Sequence, residues 1–444
     1  MKRISLAFTL ATLITSSVYA DNLKNVKKEI ENLEVFRNFN TKILDIKKVE
    51  KSWYALKLVQ QTQVGPKTIN AFTNKKLLFF GNGYDIEKNK ILNIQTNFEQ
   101  IKKDANFTIG NGEKEYFLVT DLECPYCKQL EELMPLLKDK AKVYVYLNPN
   151  ILQSHLASKG MTKYILSFPK EERYKVARSL FLENDKSKIL KMIDIYNISM
   201  YETILKYQSN TNADRLLKPY IYALEKAFNV KLDNSKKLTN FLMQKISNCK
   251  ANINKKVEEL FEKTNEINSA YLNTNGTPTV FDINGKKLEN QFQMFYQNNI
   301  VNIKKIKEIA HNPEFEITAG EGKKDLYYFI GTQCGYCKQA FNNKKDFNKM
   351  LKEYKVHFIL TLNGSNYAKA QKEIMYIYSQ KDKNMRYKLL KAIMEGKELS
   401  PQELNKTYSK EYSYKISAFV NRDVRMTFVN GTPSKVDENG RIID

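Results

Sequence analysis

Apolar positions along the chain change period several times, and each change marks an element. Leu23, Val26, Ile30 and Leu33 recur at helical spacing; Trp53 to Leu58, Ala71 to Asn74 and Leu77 to Phe80 then read as strands, with a turn at Asn82-Gly83. Asp85 to Ile94 is expected to continue that sheet, and Phe98 to Asp104 to form a linker helix. Tyr116 to Thr120 is a short apolar run of the kind that makes a buried strand, and Leu130, Leu133, Met134 and Leu137 follow it at helical spacing. Lys142 to Leu147 is a further strand, separated from Gly276 by well over a hundred residues of mostly helical period. A helix over Val301 to Ala310 and a boundary at Asn312-Pro313 come next. The pattern then begins again, with a strand at Leu326 to Ile330 and helix from Lys338 onward. Strands and helices are mixed throughout, and 444 residues suffice for about three domains.

The first twenty residues follow a different logic. Lys2 and Arg3 precede an apolar run from Ile4 to Ile14, and Val18-Tyr19-Ala20 places compact residues where a signal peptidase reads, so residues 1–20 are expected to be a cleaved signal peptide. The run falls short of the roughly 20 residues of a spanning helix, no later stretch is apolar enough to span, and no cysteine follows the cleavage site to carry a lipid anchor. The mature chain is therefore expected in an exported compartment, where disulfides are chemically allowed.

Charge changes this picture little. Lys and Arg number 72 against 49 Asp and Glu, a net +23, but only nine of the cations are Arg and the lysines are dispersed. Arg supplies the fork that grips phosphates and guanine edges, so scattered Lys reads as solvated helix faces and argues against nucleic-acid binding.

Four of the five cysteines form two short pairs, Cys124-Pro125-Tyr126-Cys127 and Cys334-Gly335-Tyr336-Cys337. A bridge closing so small a ring constrains the unfolded chain very little, so stability does not account for them. Each pair sits where a strand ends and a helix begins, where unpaired N–H groups and the helix dipole favour thiolate over thiol. Cys124 and Cys334 are thus the expected nucleophiles, and Cys127 and Cys337 the resolving thiols. A zinc site made from both pairs is the alternative, but the first cysteines lie 210 residues apart, against the roughly 15 to 20 that separate the pairs of a zinc ribbon.

The chain also repeats itself. Both pairs read Cys-x-Tyr-Cys-Lys-Gln, and Asn275-Gly276-Thr277-Pro278 and Asn430-Gly431-Thr432-Pro433 recur downstream, each followed by a short strand and an Asn-Gly turn. These motifs resemble the thioredoxin superfamily, in which a cis-proline faces the cysteine pair, and more narrowly the periplasmic disulfide isomerases DsbC and DsbG. Thr120-Asp121 before the first pair, both pair sequences and Gly-Thr-Pro are similar to that family's pattern, as are Lys381-Asp382-Lys383-Asn384 and Met394-Glu395-Gly396-Lys397 in its helical part. The resemblance implies an α+β and α/β chain: a small cystatin-like dimerisation domain with its linker helix over residues 21–104, and thioredoxin-fold domains with helical insertions over 105–312 and 313–444. It further implies that Thr277-Pro278 and Thr432-Pro433 are substrate platforms, with Thr120, Asp121, Pro125, Tyr126, Gly335 and Tyr336 shaping the sites. A periplasmic homodimer would reduce or isomerise wrong disulfides in misoxidised or misfolded exported proteins, without a cofactor or metal, fed with electrons by a membrane thiol reductase of the DsbD kind.

Departures from the family are equally legible. The helical stretch after Leu147 is longer than the usual insertion, and the second copy has Ile330-Gly331-Thr332 in place of Thr-Asp. Val301 to Ala310 is expected to supply the last helix of the first copy, leaving the second either trimmed or completed by another element. Cys249 reads as buried and inert, or as an intersubunit bridge; His155, His311 and His357 neighbour no cysteine pair in sequence and receive no role. A DsbA-like oxidase, a non-enzymatic chaperone and a metal-delivery protein remain the alternatives. An oxidase of that kind carries a His between its cysteines, where this chain has Tyr126 and Tyr336.

Overall fold

The computed structural model describes residues 23, 25–32, 41–50, 53–62, 65–75, 78–80, 83–85, 90–92, 98–152, 154–272 and 274–443. The signal-peptide reading of residues 1–20 and the expectations at Leu33, Leu77, Asn82 and Ile94 lie outside them. Four strands come first, β1 (Thr41–Glu50), β2 (Trp53–Thr62), β3 (Gly65–Thr73) and β4 (Leu78–Phe80), paired antiparallel in that order. One face carries Ile43, Leu56, Leu58 and Ala71, covered by Val26 and Ile30 from the helix of residues 25–31. The other places Leu44 and Val59 against Tyr271, and the Thr68 hydroxyl donates to the Ser269 carbonyl at 2.6 Å. Sequence reasoning missed β1 because a register shift between Ile43 and Asp45 sets Ile43 and Leu44 side by side and breaks the two-residue period.

Two expectations nearby are corrected. Gly83–Asp85 (β5) and Lys90–Leu92 (β6) pair with each other and do not extend the first sheet. The linker is two single 3-10 turns, Phe98–Gln100 and Lys102–Asp104, because so short a segment gives helix nucleation little return.

The next sheet has the order β7-β9-β8-β10, from β7 (Phe107–Ile109), β8 (Lys114–Thr120), β9 (Ala141–Leu147) and β10 (Thr279–Asp282). β8 and β9 run parallel, joined by a crossover through α1 (Pro125–Leu133), and the outer strands are antiparallel to them. Both faces of β8 are covered, which is why Tyr116 to Val119 reads as an unbroken apolar run. Between β9 and β10 the helical stretch folds into α2 (Ser158–Leu166), α3 (Arg173–Leu182), α4 (Lys186–Met192), α5 (Ile198–Tyr207), α6 (Asp214–Phe228), α7 (Ser235–Ala251) and α8 (Lys255–Ile267). Asp185, Asn234 and Asn254 accept first-turn N–H groups and fix the starts of α4, α7 and α8.

The chain divides into two compact units, one ending at Gln291 and one beginning at Phe292. The second unit holds α9 (Ile303–Ala310), β11 (Thr318–Ala319), β12 (Lys324–Ile330), α10 (Gly335–Asn342), α11 (Lys344–Glu353), β13 (Tyr354–Leu360), α12 (Tyr367–Tyr378), α13 (Lys383–Met394), α14 (Lys410–Ala418), β14 (Ser434–Asp437) and β15 (Ile442–Ile443). Its sheet runs β11-β13-β12-β14-β15, the order of the first unit's sheet with one strand added.

The repeat extends to details no motif announced. Gly110 and Gly320 both adopt a left-handed φ, where a Cβ would meet the Ala141 or Tyr354 carbonyl within 2.3 Å. Arg173 and Arg386, both buried, each donate to backbone carbonyls, among them Asn106 and Glu316 just before the first strand of each sheet.

The helix over Val301 to Ala310 is a correction of assignment. Ile306, Ile309 and Ala310 of α9 lie in the core of the second unit, and the Asn302 backbone N–H donates to the Thr427 carbonyl at 2.9 Å. The boundary expected at Asn312-Pro313 therefore lies at Gln291. In the first unit the 3-10 turns do the same work: a Cβ on Gly285 would meet the Phe98 ring, and one on the corresponding Gly440 would meet Ile303. Each sheet is covered by the segment preceding its own first strand. Among the described residues, no helix is long and apolar enough to cross a membrane.

Candidate functional site

Both cysteine pairs open a helix, and in both the first cysteine is the extended residue at the N-cap. Cys124 precedes α1 with φ −77° and ψ 120°, and Pro125 suits the first turn because its missing N–H would have had no helical partner. Tyr126 is 64% exposed, whereas Cys127 is buried one turn in. The Thr277–Pro278 peptide is cis, and the Cys124 thiol donates to the Thr277 carbonyl at 3.3 Å across 153 residues of sequence. The backbone N–H of buried Asp121 points at the Cys127 sulfur at 3.4 Å. Thr120 ends β8, its carbonyl accepting the Asn148 N–H at 2.8 Å.

Electrostatics separates the two thiols. The hydrogen bond from Cys127 is the main influence lowering Cys124, to about 6, helped by the backbone N–H groups of Cys127 and Tyr126 and opposed by burial. Burial pushes Cys127 well above the usual thiol range. One sulfur is therefore disposed to ionise and the other to stay protonated.

The second unit repeats the arrangement. Cys334 caps α10 and its sulfur accepts the Cys337 backbone N–H at 3.2 Å, while its thiol lies 3.6 Å from the Thr432 carbonyl before a second cis peptide, Thr432–Pro433. Burial pushes Cys337 up to about 12. Gly335 takes the place of Pro125 with open space beside it, and Tyr336 is 75% exposed. The absence of an aspartate before this pair has a steric cause: Gly331 stands where Asp121 does, and a Cβ there would meet the Asn363 carbonyl at 2.3 Å.

The fold also gathers residues that sequence reasoning left without a role. His155 Nδ1 lies 2.6 Å from Asp121 Oδ2, and Asp121 also accepts from the Ser158 hydroxyl at 2.5 Å and the Glu123 backbone N–H at 3.0 Å. The hydrogen bond to Asp121 raises His155, and the charge of Cys124 contributes. Glu123, beside Cys124, accepts the Ala157 and Ser158 N–H groups at 2.8 and 3.0 Å and the Tyr220 hydroxyl at 2.7 Å. In the second unit Gln333 takes its place and donates to both oxygens of buried Glu373. Glu123 and Gln333 were visible as neighbours of the cysteines. His155 follows Cys124 by 31 residues in another element, and no local pattern could have found it.

No protein-family model matches the chain, and no curated protein matches it. The chemistry accordingly rests on the geometry. Cys249 stands apart from both sites: its thiol is buried, donates to the Asp194 carbonyl at 3.3 Å and is pushed up to about 11 by burial, which suits an inert thiol and not an intersubunit bridge. No disulfide joins any of the five cysteines in this structure.

Proposed function

We propose that this chain is a thiol–disulfide oxidoreductase of the isomerase and reductase type, built from two thioredoxin-like units and acting on wrongly paired disulfides of exported proteins. The asymmetry of the Cys124–Cys127 pair carries the reading. A buried thiol lowered to about 6 at a helix N-terminus, against a resolving thiol raised by burial, makes one sulfur the nucleophile and the other the reserve.

The Cys124 thiolate attacks a client disulfide, forming a mixed disulfide and releasing one client thiolate. A second client thiolate displaces Cys124 to complete an isomerisation; alternatively Cys127 attacks, releasing the client as a dithiol and leaving a Cys124–Cys127 disulfide. That disulfide needs two electrons from a thiol reductase, for which a membrane reductase of the DsbD kind is the proposed donor. The Thr277 and Thr432 carbonyls, each beside a nucleophile, are the proposed edge against which a client strand lies.

The test is reactivation of a secreted enzyme with scrambled disulfides, by the wild-type chain and its Ser variants in a glutathione buffer. Cys124→Ser with Cys334→Ser should lower the rate at least tenfold, whereas Cys127→Ser with Cys337→Ser should keep isomerising while accumulating mixed disulfide. Full activity in the Cys124→Ser, Cys334→Ser double variant would replace this reading with a chaperone, and pairs found oxidised in acid-quenched cells would replace it with an oxidase.

A further inference from the structure

The second unit carries a group of side chains that the thiol chemistry does not use. His311 follows the C-terminus of α9, Asp325 lies near the start of β12, and His357 lies on β13. β12 and β13 run parallel with Tyr327 opposite His357, so Asp325, Tyr327 and His357 share a face of the sheet, the one His311 meets. The His311 and His357 rings are 4.6 Å apart at 75°, and His357 Nε2 lies 2.9 Å from Asp325 Oδ1. One ligand atom from each of the three residues falls within 4.8 Å of the other two, the one such grouping of His, Cys, Asp or Glu among the described residues.

We propose that His311, Asp325 and His357 form a binding site for a divalent transition-metal ion, with Zn²⁺ the best match. Two imidazoles and one carboxylate are a borderline donor set that suits Zn²⁺ over the all-oxygen preference of Mg²⁺ and Ca²⁺. Bonds of about 2.0–2.1 Å to a tetrahedral ion place ligand atoms about 3.3 Å apart. The His357–Asp325 pair is near that already, and exposed His311 swings inward at little cost. Asp325 is 35% exposed at its side chain and His311 faces solvent, so water completes the coordination.

Two observations argue that the grouping is more than packing. His357 is 1% exposed, yet Asp325 is its hydrogen-bond partner at Nε2 alone, and neither His357 Nδ1 nor the nearby Tyr327 hydroxyl has a partner. A nearly fully buried imidazole whose one partner is a carboxylate already has its ligating nitrogen facing the site. The first unit supplies the comparison. In the corresponding place Glu115 accepts from the Tyr144 hydroxyl at 2.7 Å and is met by the Lys102 ammonium. The fold therefore needs neither imidazole at this position; the first copy fills it with its own cation, and the second assembles ligands.

The test uses the full mature chain with Cys124, Cys127, Cys334 and Cys337 replaced by Ser, which removes competing thiolates. Co²⁺ and Zn²⁺ are titrated alone, followed by visible absorption and calorimetry. One equivalent should bind, with no sulfur-to-cobalt charge-transfer band, and His311→Ala and Asp325→Asn should each weaken binding at least tenfold. His311 is exposed, so its variant leaves the core intact even if His357→Ala does not fold. Failure to bind saturably, or binding that both variants leave unchanged, overturns the proposal.

Discussion

Cys124 and Cys127 lie three residues apart yet hold opposite ionisation preferences: the hydrogen bonds from Cys127 and the first N–H groups of α1 lower the one, and burial raises the other. His155 gives a first test. Held by Asp121 at 2.6 Å, it is raised above the usual imidazole range in part by the Cys124 charge, and that coupling is mutual, so His155→Asn should raise Cys124. Thiolate absorbance at 240 nm in a chain with Cys334 and Cys337 replaced by Ser measures this, and an unchanged titration would remove His155 from the site. Glu131 gives a second test. It is buried in α1 and burial pushes it from 4.5 to about 7, outweighing its 3.0 Å pairing with Arg178. Between those values the folded chain keeps a proton that the unfolded chain releases, so stability falls as pH rises through that window. Glu131→Gln should remove the fall, a difference of roughly 3 kcal/mol by urea unfolding at the two ends of the window. The same pH slope in both proteins would contradict it.

At the scale of elements, buried arginines tie the helices to the sheets. Arg386 in α13 donates to the Gln380, Pro313 and Glu316 carbonyls at 2.8 to 3.2 Å, joining its helix to the segment before β11. Lys cannot reproduce a guanidinium fork, so Arg386→Lys should destabilise the second unit by roughly 2–4 kcal/mol. Chemical unfolding followed by the exposure of Cys337 would register this, and protection equal to wild type would show that the fork is dispensable. Two short strings, Lys381 to Asn384 and Met394 to Lys397, marked the ends of α13 by resemblance, whereas nothing marked β1, whose bulge disrupts the alternation that reveals a strand.

For the whole molecule, the unit boundary at Gln291 makes a sharp expectation. A fragment of residues 292–444 should fold cooperatively, because it keeps Ile306, Ile309 and Ala310 on the core of the second unit. A fragment of residues 313–444 loses them and should bind a hydrophobic dye and melt without a cooperative transition. If the shorter fragment melts as sharply as the longer one, α9 is not part of this core.

The sequence by itself determined the positions of both cysteine pairs, the strand-to-helix junctions that hold them, both Thr-Pro motifs and the repeat, because these are local: a three-residue spacing, a change of period, a short string recurring. Tertiary structure alone decided which unit owns Val301 to Ala310, since an amphipathic helix shows that it has an apolar face and not which sheet covers it. It also brought Thr277 to Cys124 across 153 residues, His155 to Asp121, and His311 and His357 to Asp325. Strand register and helix docking create those contacts, and neither leaves a periodic trace in the residues they join.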